Sequence, residues 1–103
     1  MIFRRRYGDV VRRQLDVFAL DNADLLAEIE AVLRAYDEAP RDEAEERYAE
    51  YDDLLDTGRE LLAELRDGFR SSLDENAAEE YEAAFDRAAA KRFPHIAAGL
   101  ENI

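Results

Sequence analysis

The sequence predicts an all-α protein: an antiparallel helical hairpin of two long helices, a shorter third helix beside it, and a short C-terminal helix as an optional fourth piece. Three observations carry this. Only four glycines and two prolines occur in 103 residues, too few for a turn-rich β domain. Apolar residues recur at alternating steps of three and four over two long stretches, the period of a helix face. The breakers fall at separated places, at Pro40, at Ser71-Ser72 and at Pro94.

The first stretch places Val11, Leu15, Phe18, Asn22, Leu25, Ile29, Val32, Tyr36 and Ala39 on one stripe. Asp21-Asn22 has the look of a helix start, but the register runs through it without a slip. The reading favours one continuous helix from about Asp9 to Glu38 over two helices bent at Asp21. Pro40, followed by Arg41-Asp42-Glu43, marks a first helical turn: proline loses no bond there, and acids suit the N-terminal dipole. The second helix therefore starts at Pro40 or Arg41. Its stripe is Ala44, Tyr48, Tyr51, Leu55, Gly58, Leu62, Leu65 and Phe69. Each rod is roughly 45 Å long at the helical rise. A short connection between matched rods sets them antiparallel. Pairing residue i with 80 − i brings each core position from Val11 to Tyr36 to a core partner, among them Asn22 to Gly58 and Val32 to Tyr48.

Leu26, Leu33, Leu54 and Leu61 widen the stripes beyond what one neighbour covers, so a third helix is required. Ser72 and Glu75 have capping-box spacing and place its start near Leu73. Pro94 stops it around Arg92. Ala77, Ala78, Tyr81, Ala84, Phe85, Ala88 and Ala89 form its inner face, with Phe85 expected to fill the space above Gly58. This helix reaches only part of the way back, which leaves the end nearest Pro40 uncovered. Phe93, Ile96, Leu100 and Ile103 step as one more helical stripe. That tail either closes the open end in its own chain or packs on another copy. Residues 1–103 read as a single domain, with a basic segment at 1–8 and the tail at 93–103.

Charge narrows the function classes. The formal net charge is −12. Residues 1–20 carry five arginines against two aspartates, whereas residues 21–86 carry 23 acids against six arginines. An acidic body repels phosphate backbones and anionic membranes. The expected partner is thus a protein, either a second copy in a homo-oligomer or another subunit, rather than nucleic acid or membrane. No cysteine is present, which removes disulfides, thiolate metal sites and cysteine nucleophiles. The basic start has no apolar run behind it, so it does not read as a secretory signal, and the cytoplasm is the expected compartment.

Two places stand out as candidate sites. Leu33, Tyr36, Tyr48 and Tyr51 lie at the uncovered end, with Phe93, Ile96 and Leu100 of the tail as further partner-binding candidates. Tyrosine offers apolar area with a polar tip and suits an interface. Arg4, Arg5, Arg6, Arg12 and Arg13 form a basic end, which hairpin packing sets beside Arg66 and Arg70. Nothing nominates a catalytic centre. His95 is the one histidine and has no evident partner for acid–base work. Ser71 and Ser72 read as cap and loop, and no glycine-rich phosphate loop exists. The expectation is a non-enzymatic interaction module without a cofactor. Two alternatives are kept. One is a dimeric, carboxylate-rich metal-binding bundle, disfavoured because no Glu-x-x-His pair occurs. The other is an acidic decoy that inhibits a basic nucleic-acid-binding protein.

Overall fold

Gly8 opens the first helix and Asp21 ends it; the computed structural model describes residues 6–103. Four α-helices follow one another: α1 (Gly8–Asp21), α2 (Ala23–Glu38), α3 (Arg41–Arg70) and α4 (Glu75–Arg92). A single 3-10 turn, Leu100–Asn102, lies in the tail, and no strand occurs among the described residues. No helix is long and apolar enough to cross a membrane among those residues.

The continuous first helix expected from the register is in fact two. Asn22 leaves the helical region, at φ −117° and ψ 29°. Its backbone N–H and its Nδ2 both donate to the Phe18 carbonyl at 3.0 Å. An asparagine side chain competing for backbone carbonyls is a known cause of such breaks. The hydrogen bond from Leu26 N–H to the Asn22 carbonyl resumes the ladder at once. No residue is gained or lost at the bend, which is why the apolar period passes through it unmarked. The bend also gives the two halves different neighbours: α1 lies mainly on α4, and α2 mainly on α3.

Contacts along α1 and α4 show that they run the same way. Tyr7 meets Tyr81 edge-on with ring centroids 5.6 Å apart, and Phe18 meets Phe93 at 5.4 Å. Asp16 pairs with Arg92 near the far end. By contrast α3 runs against α4, with Phe69 on Tyr81 at 4.7 Å and Arg66 on Asp86. Around these contacts the core closes on Val11, Leu15, Phe18, Leu62, Tyr81, Phe85 and Ala89, all at most 3% exposed. Alanines along α4 let its neighbours approach closely, while Tyr81 and Phe85 supply bulk.

Three further expectations are corrected. The cap of α4 is Asp74, not Ser72: the Asp74 carboxylate accepts from Ala77 N–H at 2.9 Å. Ser72 instead closes the end of α3: its hydroxyl at 2.7 Å and its backbone N–H at 3.0 Å both donate to the Phe69 carbonyl. Replacing Asp74 with alanine is expected to lower stability by about 1 kcal/mol in urea unfolding, whereas Ser72→Ala is expected to cost less.

The space above Gly58 belongs to Ile96, not Phe85. A methyl group added at Gly58 would stand 3.0 Å from Ile96 Cγ2. Finally, the tail is not a helical stripe. Beyond Phe93 it turns, and Gly99 takes φ +84°, the left-handed region that favours glycine. Ile96 lies over Gly58, and Leu100 and Ile103 lie at Arg66, so the tail doubles back along α3. It packs on its own chain and leads away from the Pro40 end.

Candidate functional site

Because the tail folds back, the part of α2 and α3 nearest Pro40 extends past the end of α4. An apolar cleft of about 400 Å³ forms where this arm leaves the body. Leu26, Ile29 and Leu33 supply its α2 wall, Tyr51 and Leu55 its α3 wall, and Phe93 to Ile96 its floor. Further out, Tyr36 stands against Tyr48 with ring centroids 5.4 Å apart, and Tyr48 against Tyr51 at 6.1 Å. Tyr48 is 50% exposed, an unusual state for so large a ring on a heptad stripe.

The seven partner-binding candidates thus divide. Tyr48 is exposed, and Leu33, Tyr36 and Phe93 are half-buried along the arm and the cleft. Tyr51, Ile96 and Leu100 are buried against residues of their own chain. Tyr51 and Ile96 still border the cleft, whereas Leu100 is sealed inside the body.

The basic end is likewise dispersed. Arg4 and Arg5 lie outside the described residues. Arg6 sits over the Tyr7 ring and reaches Glu80 at 3.4 Å. Arg12 pairs with Asp9 at 2.7 Å, and Arg13 is exposed. Of the two arginines expected beside them, Arg66 is buried against Asp86 of α4, and Arg70, still partly exposed, pairs with Glu82 of α4.

Arg66 is the residue that sequence reasoning missed. It is 1% exposed. Its Nε donates to Asp67 at 2.9 Å, and one terminal nitrogen donates both to Asp86 at 3.0 Å and to the Leu100 carbonyl at 3.1 Å. The other terminal nitrogen donates to the main-chain oxygen of Ile103 at 2.6 Å. The planar fork of a guanidinium suits several acceptors at once. Burial works against the Arg66 charge, but the hydrogen bonds it donates to Asp67 and Asp86, with the attraction of their charges, outweigh it, so its pKa is raised. At Asp86 burial prevails over the pull of Arg66 and pushes the carboxyl above its ordinary value. The network is a clasp that fastens the tail to α3 and α4. Arg59 adds a second tie from α3, donating to the His95 carbonyl at 3.4 Å.

His95 is exposed, and Arg66 and Asp86 face each other inside the clasp. No group of three or more His, Asp or Glu side chains stands close enough to hold a metal ion among the described residues. Comparison with protein-family models, with curated proteins and with solved structures finds nothing that matches this chain.

Proposed function

We propose that the chain is a non-enzymatic helical interaction module that works by associating with further copies of itself or as a small subunit of a larger assembly. In this reading α1 with α2 forms the first arm of a hairpin and α3 the second, α4 is the third rod of a bundle, and association completes what the chain leaves open. One observation carries it: the α2–α3 arm projects beyond α4 with Tyr48 half-exposed and with Leu33 and Tyr36 only partly covered by the rest of the described chain. An apolar surface of this kind, rimmed by acids, marks a contact site more often than an accident of packing.

Sedimentation across a concentration series tests the reading. The wild-type chain is expected to associate, or to bind one defined partner stoichiometrically. Leu33→Glu is expected to weaken that contact by tenfold or more, about 1.4 kcal/mol, with helix content unchanged. A chain that stays monomeric at high concentration, and whose contacts in its native host are indifferent to Leu33→Glu, overturns the proposal.

A further inference from the structure

Most of the negative charge lies on the arm. Residues 23–58 hold thirteen acids against three arginines, a net −10 of the total −12. On the opposite flank the sign reverses. A groove of about 340 Å³ runs between α1 and α4, and its charged lining residues are Arg12, Arg87, Lys91 and Arg92, with no acid among them. The apolar part of its wall is Val11, Leu15, Ala84 and Ala88. The two alanines lie one turn apart on α4, so they keep that wall low enough for another backbone to approach. Arg12 and Arg92 are engaged by Asp9 and Asp16 of α1. Arg87 and Lys91 make no ion pair among the described residues. A cationic rim around a shallow apolar trough is the complement of an acidic amphipathic helix.

Such a helix is present in this chain. On α3 the half-exposed Tyr48 stands between Glu45, three residues before it, and Asp52, four residues after it, so all three share one face. That face belongs to the projecting arm, whereas the groove flanks α1 and α4 of the body. We propose that the α1–α4 groove receives the Tyr48 face of α3 from a second copy of the chain. The ring enters the trough over Ala84 and Ala88, and Glu45 and Asp52 meet Arg87 and Lys91. This rests on the interaction reading above and names its occupant.

Charge reversal on each side separates the possibilities. Wild-type chain is expected to self-associate at low salt and to lose at least about tenfold in affinity when added salt shortens the Debye length to a few ångströms. Arg87→Glu/Lys91→Glu is expected to abolish association, and Glu45→Arg/Asp52→Arg to do the same. All four positions are exposed, so each variant is expected to keep its fold, checked by circular dichroism. Mixed together, the two variants are expected to form a heterodimer that neither forms alone. Association that survives Arg87→Glu/Lys91→Glu but falls to Leu33→Glu overturns the groove assignment and leaves the interaction reading standing. A monomeric wild-type chain at low salt overturns the second copy as occupant. Binding of a nucleic acid duplex, lost with Arg87→Glu/Lys91→Glu, in place of self-association gives the groove to another polyanion and overturns it as well.

Discussion

Arg66→Met is expected to cost about 3–5 kcal/mol of folding stability, the range for breaking a buried ion pair by removing one partner. That is a large part of the 5–15 kcal/mol, roughly, that holds a domain of this size together. The melting temperature is expected to fall by roughly 15 °C or more. The loss has two sources. Asp86, whose side chain is 15% exposed, keeps a charge with no partner. The Leu100 and Ile103 main-chain oxygens lose the donor that fastens the tail. The burial of Leu100 and Ile96 and the Arg59 bond to the His95 carbonyl then hold the tail, so amide exchange should rise along 96–103 before it rises in α3. Arg66→Lys is expected to recover only part of the loss, because one ammonium cannot span acceptors on Asp67, Asp86 and the tail together. Arg66→Met/Asp86→Leu should be more stable than Arg66→Met, since it removes the stranded charge.

The pH dependence of Arg66→Met has a definite sign. Without Arg66 the Asp86 carboxyl is raised further by burial, so the folded state holds a proton that the unfolded state has released. Stability then increases as pH falls into the weakly acidic range, and the deficit narrows there. Urea unfolding of the four proteins at neutral and mildly acidic pH measures all of this. A deficit under about 1 kcal/mol for Arg66→Met would show that the clasp does not hold the tail.

The uneven legibility of the sequence has the same physical root as that clasp. Val11, Leu15, Phe18, Ile29, Tyr51, Leu55 and Leu62 lie on the stripes and are buried, because periodic apolar burial is local information that any turn of helix repeats. Arg66 is one turn beyond Leu62 on the same face, and that offset was the available signal. It was unreadable as a buried position because an arginine goes inside only where acceptors converge, and apart from the adjacent Asp67 these come from residues 20 to 37 positions away. Gly58 advertised a close approach, but Ile96 was assignable only after the tail's reversal at Pro94 and Gly99. The break at Asn22 was hidden for the opposite reason: it disturbs dihedral angles without shifting the register. The cleft inherits each of these. Its helix walls were visible as Leu26, Leu33 and Tyr51, while its floor depends on a turn whose path no periodicity encodes.

Tyr81 is expected to make the protein fail at high pH in a way that one substitution removes. The ring is fully buried, and its hydroxyl donates to Gln14 Oε1 at 2.7 Å. Burial opposes phenolate formation and pushes the Tyr81 pKa up from 10.0 to about 12. Between those values the folded state keeps a proton that the unfolded chain gives up. The stabilisation is therefore complete below pH 10 and is lost as pH rises through about 12. At about 1.4 kcal/mol per pH unit, the loss across the window is on the order of 2–3 kcal/mol. Tyr81→Phe deletes the ionising group and the hydrogen bond together. At neutral pH it is expected to be about 1 kcal/mol less stable than wild type. Near pH ~11 the two stabilities should cross, and above it the phenylalanine variant should be the more stable protein. Urea unfolding at a series of alkaline pH values locates the crossing, and the difference between the two proteins' tyrosinate absorbance titrations isolates Tyr81 itself. Parallel stability curves with no crossing would mean that water reaches the hydroxyl, and that the close packing of α1, α3 and α4 around this ring is looser than the contacts with Tyr7, Phe69 and Phe85 imply.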